Sequence, residues 1–312
     1  MKRILRRLVG SLISLVGAVT LVFLVLRLTP GDPADNILGD EASVTAKADF
    51  RAQLRLDQPL HVQYGQFWSD IFDGSLGTPY AISDQTITVS SVIADVLPAT
   101  IELAVTAMIV AVFIAIPFGI VAAVRQHQFL DHASMVAALI GVAMPVFWLG
   151  PMLLYLLTVK FPLLPDPGSP LRGPMPLLLP ALVLGAALSG KLTRMVRASV
   201  LDVLREDYTL TARAKGLSEA KVVGNHVLRN ALIPVLTVMG LQLAALLGGA
   251  IVTEKVFARP GIGTLLLDAI IKRDYAVVQG CVIVVTVGYV LVNLAVDLLY
   301  ITVDPRVKED RP

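Results

Sequence analysis

Apolar positions in this chain come in long runs separated by short polar stretches, and the run lengths are its first structural statement. A helix needs about 20 mostly apolar residues to cross a hydrocarbon core about 30 Å thick. Six runs meet that length, near 8–28, 98–124, 133–159, 177–196, 231–253 and 277–303. The first follows Lys2-Arg3-Ile4-Leu5-Arg6-Arg7. It is too long for a signal-peptide core and lacks a clear small-residue cleavage site, so residues 1–28 read as a retained spanning helix. The fourth is the weakest: its unbroken apolar run covers only 177–188, after which Lys191, Arg194 and Arg197 recur every third residue. Such side chains reach the headgroups from one helix face. A helix so short of lipid-facing surface belongs inside the bundle. Pro117, Pro145 and Pro151 predict kinks in their helices.

Two polar intervals exceed what a connector needs. Residues 29–97 open on Pro30-Gly31-Asp32-Pro33, a rigid turn that ends the first helix. Within it Leu60, Tyr64, Phe67, Trp68 and Ile71 recur at helical spacing, with Gly74 as a stop. One or two short amphipathic helices lying on the membrane surface are expected, serving as a cover or as a docking surface. The second interval runs from Glu206 to Pro234. Asp207 is suited to cap a helix from Tyr208 to Lys215, with Glu206 and Asp207 at its positive end and Arg213 and Lys215 at its negative end. Gly216 supplies a left-handed stop, and Ser218-Glu219 restarts a helix that leads to Pro234. An isolated helix of two turns is marginal in water, so something must hold it. Ala212, Ala214 and Gly216 are small enough for close approach, while Tyr208 and Leu217 are candidate anchors.

Composition agrees with the runs. Of 312 residues, 55% are hydrophobic and only 16% charged, against about 25% charged in soluble domains. The net charge of +2 says little, but its placement says more. With six spans both termini share one side, and that side carries sixteen of the 26 lysines and arginines. The positive-inside rule therefore places the termini and the 197–230 loop in the cytoplasm. Cys281, the single cysteine, excludes an intrachain disulfide. The four histidines, at 61, 127, 132 and 226, form no metal-ligating or nucleophilic constellation. No catalytic residue and no metal site is expected.

Polar residues inside spans mark either helix contacts or a water-lined path. Glu102 and Thr106 lie one turn apart in the second span, Gln242 is isolated in the fifth, and Tyr289, Asn293 and Asp297 form a stripe in the sixth. Glu102, Thr106, Gln242 and Asn293 are the candidate pathway residues. The sixth-span stripe reads better as helix–helix hydrogen bonding, because Asp297 sits near the cytoplasmic end. One decoy is set aside: Gly185 to Lys191 matches most of a phosphate-binding loop, but Leu192 stands where a magnesium-binding Ser or Thr is required, and no strand precedes it.

These stretches resemble the dipeptide/oligopeptide permease family of ABC importers. Asp207-Tyr208, Ala212-Arg213-Ala214-Lys215-Gly216-Leu217 and Leu228 to Pro234 look like the loop that names such permeases, although its glutamate and first alanine are here Leu210 and Thr211. Pro30 to Pro33, Leu97 to Leu103, Met144 to Trp148, Pro260 to Gly263, Arg273-Asp274-Tyr275, Gln279-Gly280, Asp297 to Tyr300 and Asp304-Pro305-Arg306 are similar too, so the likeness covers nearly the whole chain. The resemblance implies an all-α integral membrane protein with the six-span, MetI-like bundle of a type I importer. Residues 29–97 would be periplasmic, 98–303 would form a five-helix core, and 304–312 a cytoplasmic tail, in the inner membrane of a bacterium. It implies a coupling helix seated in a partner ATPase, with Asp207, Tyr208, Ala212, Arg213, Ala214, Lys215, Gly216 and Leu217 in or beside the contact. Arg213 and Lys215 would meet acidic groups, and Ala212 and Gly216 would allow the close fit. Implied partners are a second, different permease, two ATP-binding subunits carrying ATP and magnesium, and a periplasmic or lipid-anchored binding protein; nucleic acid is not among them. The implied cargo is a dipeptide or oligopeptide, with glutathione, nickel chelates, opines or sugars as alternatives. An ion-driven transporter is disfavoured because no span holds a central acidic pair and no interrupted helices recur in matching halves. A scaffold without transport would need neither the two-turn helix nor the buried polar groups.

Overall fold

A computed structural model of the chain describes residues 2–39, 41–82, 84, 86–164 and 175–303. The tail at 304–312, with Asp304-Pro305-Arg306, lies outside these residues. All regular structure among the described residues is helical. The chain divides into two compact units, Met1–Thr100 with Pro260–Val290, and Ile101–Arg259 with Leu291–Pro312. Five helices are long and apolar enough to cross a membrane, or six if a bent pair forms one span.

In the first unit, α1 (Lys2–Leu28) ends at the expected turn, and Asp32 caps α2 (Pro33–Leu38) by accepting from Ala34 N–H at 2.8 Å. Serine 43 caps α3 (Val44–Gln53) in the same way. The predicted amphipathic helix is α4 (Leu60–Phe72), followed by Gly74 at φ +80°. Its aromatic stripe closes on α1: Phe23 packs edge-on against Tyr64 and beside Phe67, and Tyr64 Oη shares a hydrogen bond with Thr20. The long helix α5 (Val89–Val124) starts nine residues before the expected span at 98, and Pro117 does not interrupt it.

The second unit has its own apolar core. The third run is broken at Met144-Pro145 into α6 (Phe129–Ala143) and α7 (Val146–Leu154), the latter extended by a π-helical turn at Tyr155–Lys160. The bend is 95°. This is a break rather than the expected kink, because Met144 adopts the extended conformation forced on a residue before proline. Helix α8 (Met175–Leu204) fulfils the expectation that the fourth span lies inside, packing on α6, on α7 and on α11 (Leu228–Gly249). The glycines of the apparent phosphate loop serve this packing. A Cβ on Gly190 would fall 2.2 Å from Ala138 O, so two helix backbones meet there. Between α8 and α11 lie α9 (Asp207–Ala214), α10 (Glu219–Lys221) and a π-helical turn at Val222–Val227. The fifth span stops at Gly249 rather than 253, and α12 (Ile251–Val256) follows.

Returning to the first unit, α13 (Ile262–Lys272) was not anticipated, and α14 (Tyr275–Val303) forms the sixth span. Residues 260–290 thereby join the N-terminal segment, for reasons that sequence spacing does not carry. Thr100 Oγ1 accepts from Ile262 N–H at 2.8 Å, joining Leu97–Leu103 to Pro260–Gly263. Buried Asp274 accepts from the N–H groups of Tyr80, Ala81 and Val277, fixing the 77–82 loop to the start of α14. Burial pushes its carboxyl above the usual range, and those three N–H groups pull it back.

Candidate functional site

The 205–218 segment has the predicted length with its boundaries shifted. Glu206, not Asp207, is the cap, and its side chain makes no capping bond; Asp207 has become the first helical residue and still meets the positive helix end. The far end is tighter than predicted. Gly216, at φ +79°, donates to Arg213 O at 2.9 Å, and Leu217 donates to Ala212 O at 3.4 Å. These two bonds form a Schellman stop, which satisfies carbonyls that two turns would otherwise leave open.

One stripe of α9 is bound to its own chain. Thr209 has no exposed surface and donates Oγ1 to Val203 O at 2.9 Å; Ala212, three residues on, is 6% exposed and belongs to the main apolar core of the second unit. Ala212 therefore serves internal packing. Asn230 at the start of α11 donates to Tyr208 Oη at 2.8 Å. Arg213 pairs with Glu219 at 2.7 Å, so its charge is already met within the chain. Asp207, Tyr208, Ala214, Lys215, Gly216 and Leu217 are exposed.

Leu210, which enters the sequence argument only as a departure from the motif, is 51% exposed. Leu210 and Ala214 lie one turn apart, an apolar pair on the side away from Thr209 and Ala212, and exposed Leu217 follows beyond the Gly216 stop. That periodicity was present in the sequence and could have identified it. An eight-residue helix thus has one face seated internally and a second apolar face in the open.

Glu102 forms an ion pair with Arg259 at 2.7 Å, and Thr106 is half-buried one turn further along α5. Gln242 is buried; its Nε2 donates to Leu188 O on α8 at 3.4 Å, while its Oε1 has no partner. That geometry is a helix–helix contact with spare acceptor capacity. Asn293 is half-buried on α14. The Asp131 carboxylate, buried near the start of α6, receives two bonds from Arg197 of α8 at 2.6 and 2.7 Å. This explains one of the three cations in the weak fourth run, since Arg197 is held by a partner helix. No group of three or more His, Cys, Asp or Glu side chains suitable for a metal occurs among the described residues.

Five or six candidate spans, with α8 packed on α6, α7 and α11 in the second unit, make a multi-pass helical protein. Residues 115–309 match the family of binding-protein-dependent transport system inner membrane components, and residues 1–104 match the N-terminal region of the same components; the chain belongs to this family. It is 43% identical over 305 residues to a glutathione transport system permease protein, GsiC, of Salmonella choleraesuis (strain SC-B67), covering 98% of both chains. It is 41% identical over 330 residues to a dipeptide transport system permease protein, DppB, of Alkalihalophilus pseudofirmus, covering 97% of this chain and 98% of that one. The fold resembles a chain of the inward-facing MetNI methionine ABC transporter, with a TM-score of 0.56 at 17% identity, over 68% of this chain and 96% of that one. The protein is the permease component of an ABC importer, and not an enzyme.

Proposed function

We propose that this chain is one of two different permease subunits in an importer of dipeptides or oligopeptides, driven by ATP and magnesium on two partner ATPases. In this reading α9 is the coupling helix, with Leu210, Ala214 and Leu217 seated in a groove of the ATPase and Asp207, Tyr208, Lys215 and Gly216 around the contact. Both termini and the 197–230 loop face the cytoplasm, as the excess of Lys and Arg there supports. A periplasmic or lipid-anchored binding protein delivers cargo, and Glu102, Thr106, Gln242 and Asn293 offer polar groups along the way.

The observation that carries this reading is the two-faced character of α9. Thr209 and Ala212 anchor it to the bundle, so displacement of the helix moves the bundle, while the Leu210 face remains for another subunit. The relation to a dipeptide permease supports the cargo class. The equally extensive relation to a glutathione permease supports a second reading within that class, since glutathione is itself a peptide with one γ-linkage. ATP-driven uptake of labelled dialanine and of glutathione into proteoliposomes holding the whole complex is the test. Uptake of at least one is expected, together with its loss in Leu210→Glu while that variant still inserts and folds. Neither cargo entering, or normal uptake by Leu210→Glu, would overturn the assignment.

A further inference from the structure

The first unit contains a cavity of about 380 Å³, enclosed by α1, α3, α4, the 73–80 loop and the start of α14. That volume falls at the small end of small-molecule clefts, roughly 300–1,000 Å³. Its walls carry Arg27, Arg55, Asp70 and Asp73, none of them in an ion pair among the described residues; Arg55 donates to Gln66 at 2.6 Å on the Asp70 side. Arg27 lies face-on over Phe23 at 3.6 Å, with Nε donating to Gln63 at 2.8 Å; it has no ion-pair partner among the described residues, and Nη2 has no hydrogen bond. Asp70 receives one bond, from Gln66 Nε2 at 2.6 Å, and likewise has no ion-pair partner. Burial holds its carboxyl above the usual range. Two further donors line the wall: the Tyr80 hydroxyl, which burial keeps protonated and which has no hydrogen bond among the described residues, and Gln279, 6% exposed, whose Nε2 is unpartnered among them.

Charges removed from water without partners are costly. Arginine held by stacking keeps an N–H edge suited to a carboxylate. From these observations we propose that the cavity binds a small zwitterion, with its carboxylate on Arg27, Tyr80 and Gln279 and its ammonium group on Asp70. The charge pattern points to a zwitterion; the choice of a short peptide among zwitterions rests on the import reading above.

The test is equilibrium binding to the full chain in nanodiscs of phosphatidylglycerol and phosphatidylcholine, without ATPase or ATP. The probes are dialanine, N-acetyl-dialanine and dialanine amide. Dialanine is expected to bind at one site, with each blocked form at least tenfold weaker. Arg27→Gln should abolish the preference for the free carboxylate yet keep that for the free ammonium, and Asp70→Asn should do the reverse. Because each variant retains one preference, loss of folding cannot imitate the result. Tyr80→Phe provides a milder check, weakening dialanine and N-acetyl-dialanine by the same few-fold factor. No binding, equal binding of all three probes, or both preferences intact in both variants would overturn the site. So would phosphoethanolamine displacing dialanine at concentrations below the dialanine Kd, which would assign the cavity to a lipid headgroup. Failure here with normal ATP-driven uptake refutes only the cavity; lost uptake with intact binding refutes the import reading instead.

Discussion

Helices α4 and α9 are both short, amphipathic and placed between spans, yet they end differently. In α4 the aromatic face is spent inside the chain, where Tyr64 and Phe67 close on Phe23 and Trp68 meets both edge-on. In α9 only Thr209 and Ala212 are buried, while Leu210 and Ala214, and Leu217 just past its stop, are left open. A helix whose apolar face is satisfied internally is part of the scaffold. One that keeps a second apolar face in water is built for a neighbour, since exposed apolar surface is otherwise a liability.

The contrast can be broken most forcefully at α4. Removing the ring in Phe67→Ala should cost about 3–5 kcal/mol, as for other buried aromatic truncations, and a thermal unfolding scan in detergent should show a clear drop. Ala212→Phe should come next, at about 1–3 kcal/mol of overpacking; stability and uptake should fall together, and lost uptake at unchanged stability would restore a direct partner contact for Ala212. Gly216→Ala forces a side chain into the left-handed region, about 1–2 kcal/mol, and should fray the last turn of α9. Arg213→Ala should change stability by less than about 1 kcal/mol, because its pair with Glu219 is exposed. Leu210→Glu, the smallest in stability at about 0.5 kcal/mol or less, should stop uptake altogether. That final pairing of a silent fold with a dead transporter sharpens the comparison most.

Local chemistry made much of this legible. The Leu60-to-Ile71 spacing foretold α4, and the Gly216 stop foretold the end of α9. The start of α9 was placed one residue late because Asp207 and Glu206 both suit a helix N-terminus and propensity does not choose between them. Helix α13 went unread, although the Thr264 hydroxyl accepts from Gly261 N–H and donates to Gly261 O at its start and Arg273 ends it in the left-handed conformation. Its apolar residues followed the fifth span too closely to be separated by hydropathy alone.

Run lengths, the positions of glycine and proline, and the sorting of charge between loops belong to the sequence, because each depends on a few neighbouring residues and on the surrounding solvent. Which face of each helix is buried belongs to the tertiary structure. It decided that Ala212 packs inward, that Arg197 is held by Asp131, that Asp274 fixes a loop almost two hundred residues away, and that Arg27 and Asp70 share one cavity. Burial is a property of contacts between segments far apart in the chain, and periodicity within one segment shows that a face is apolar without showing what covers it.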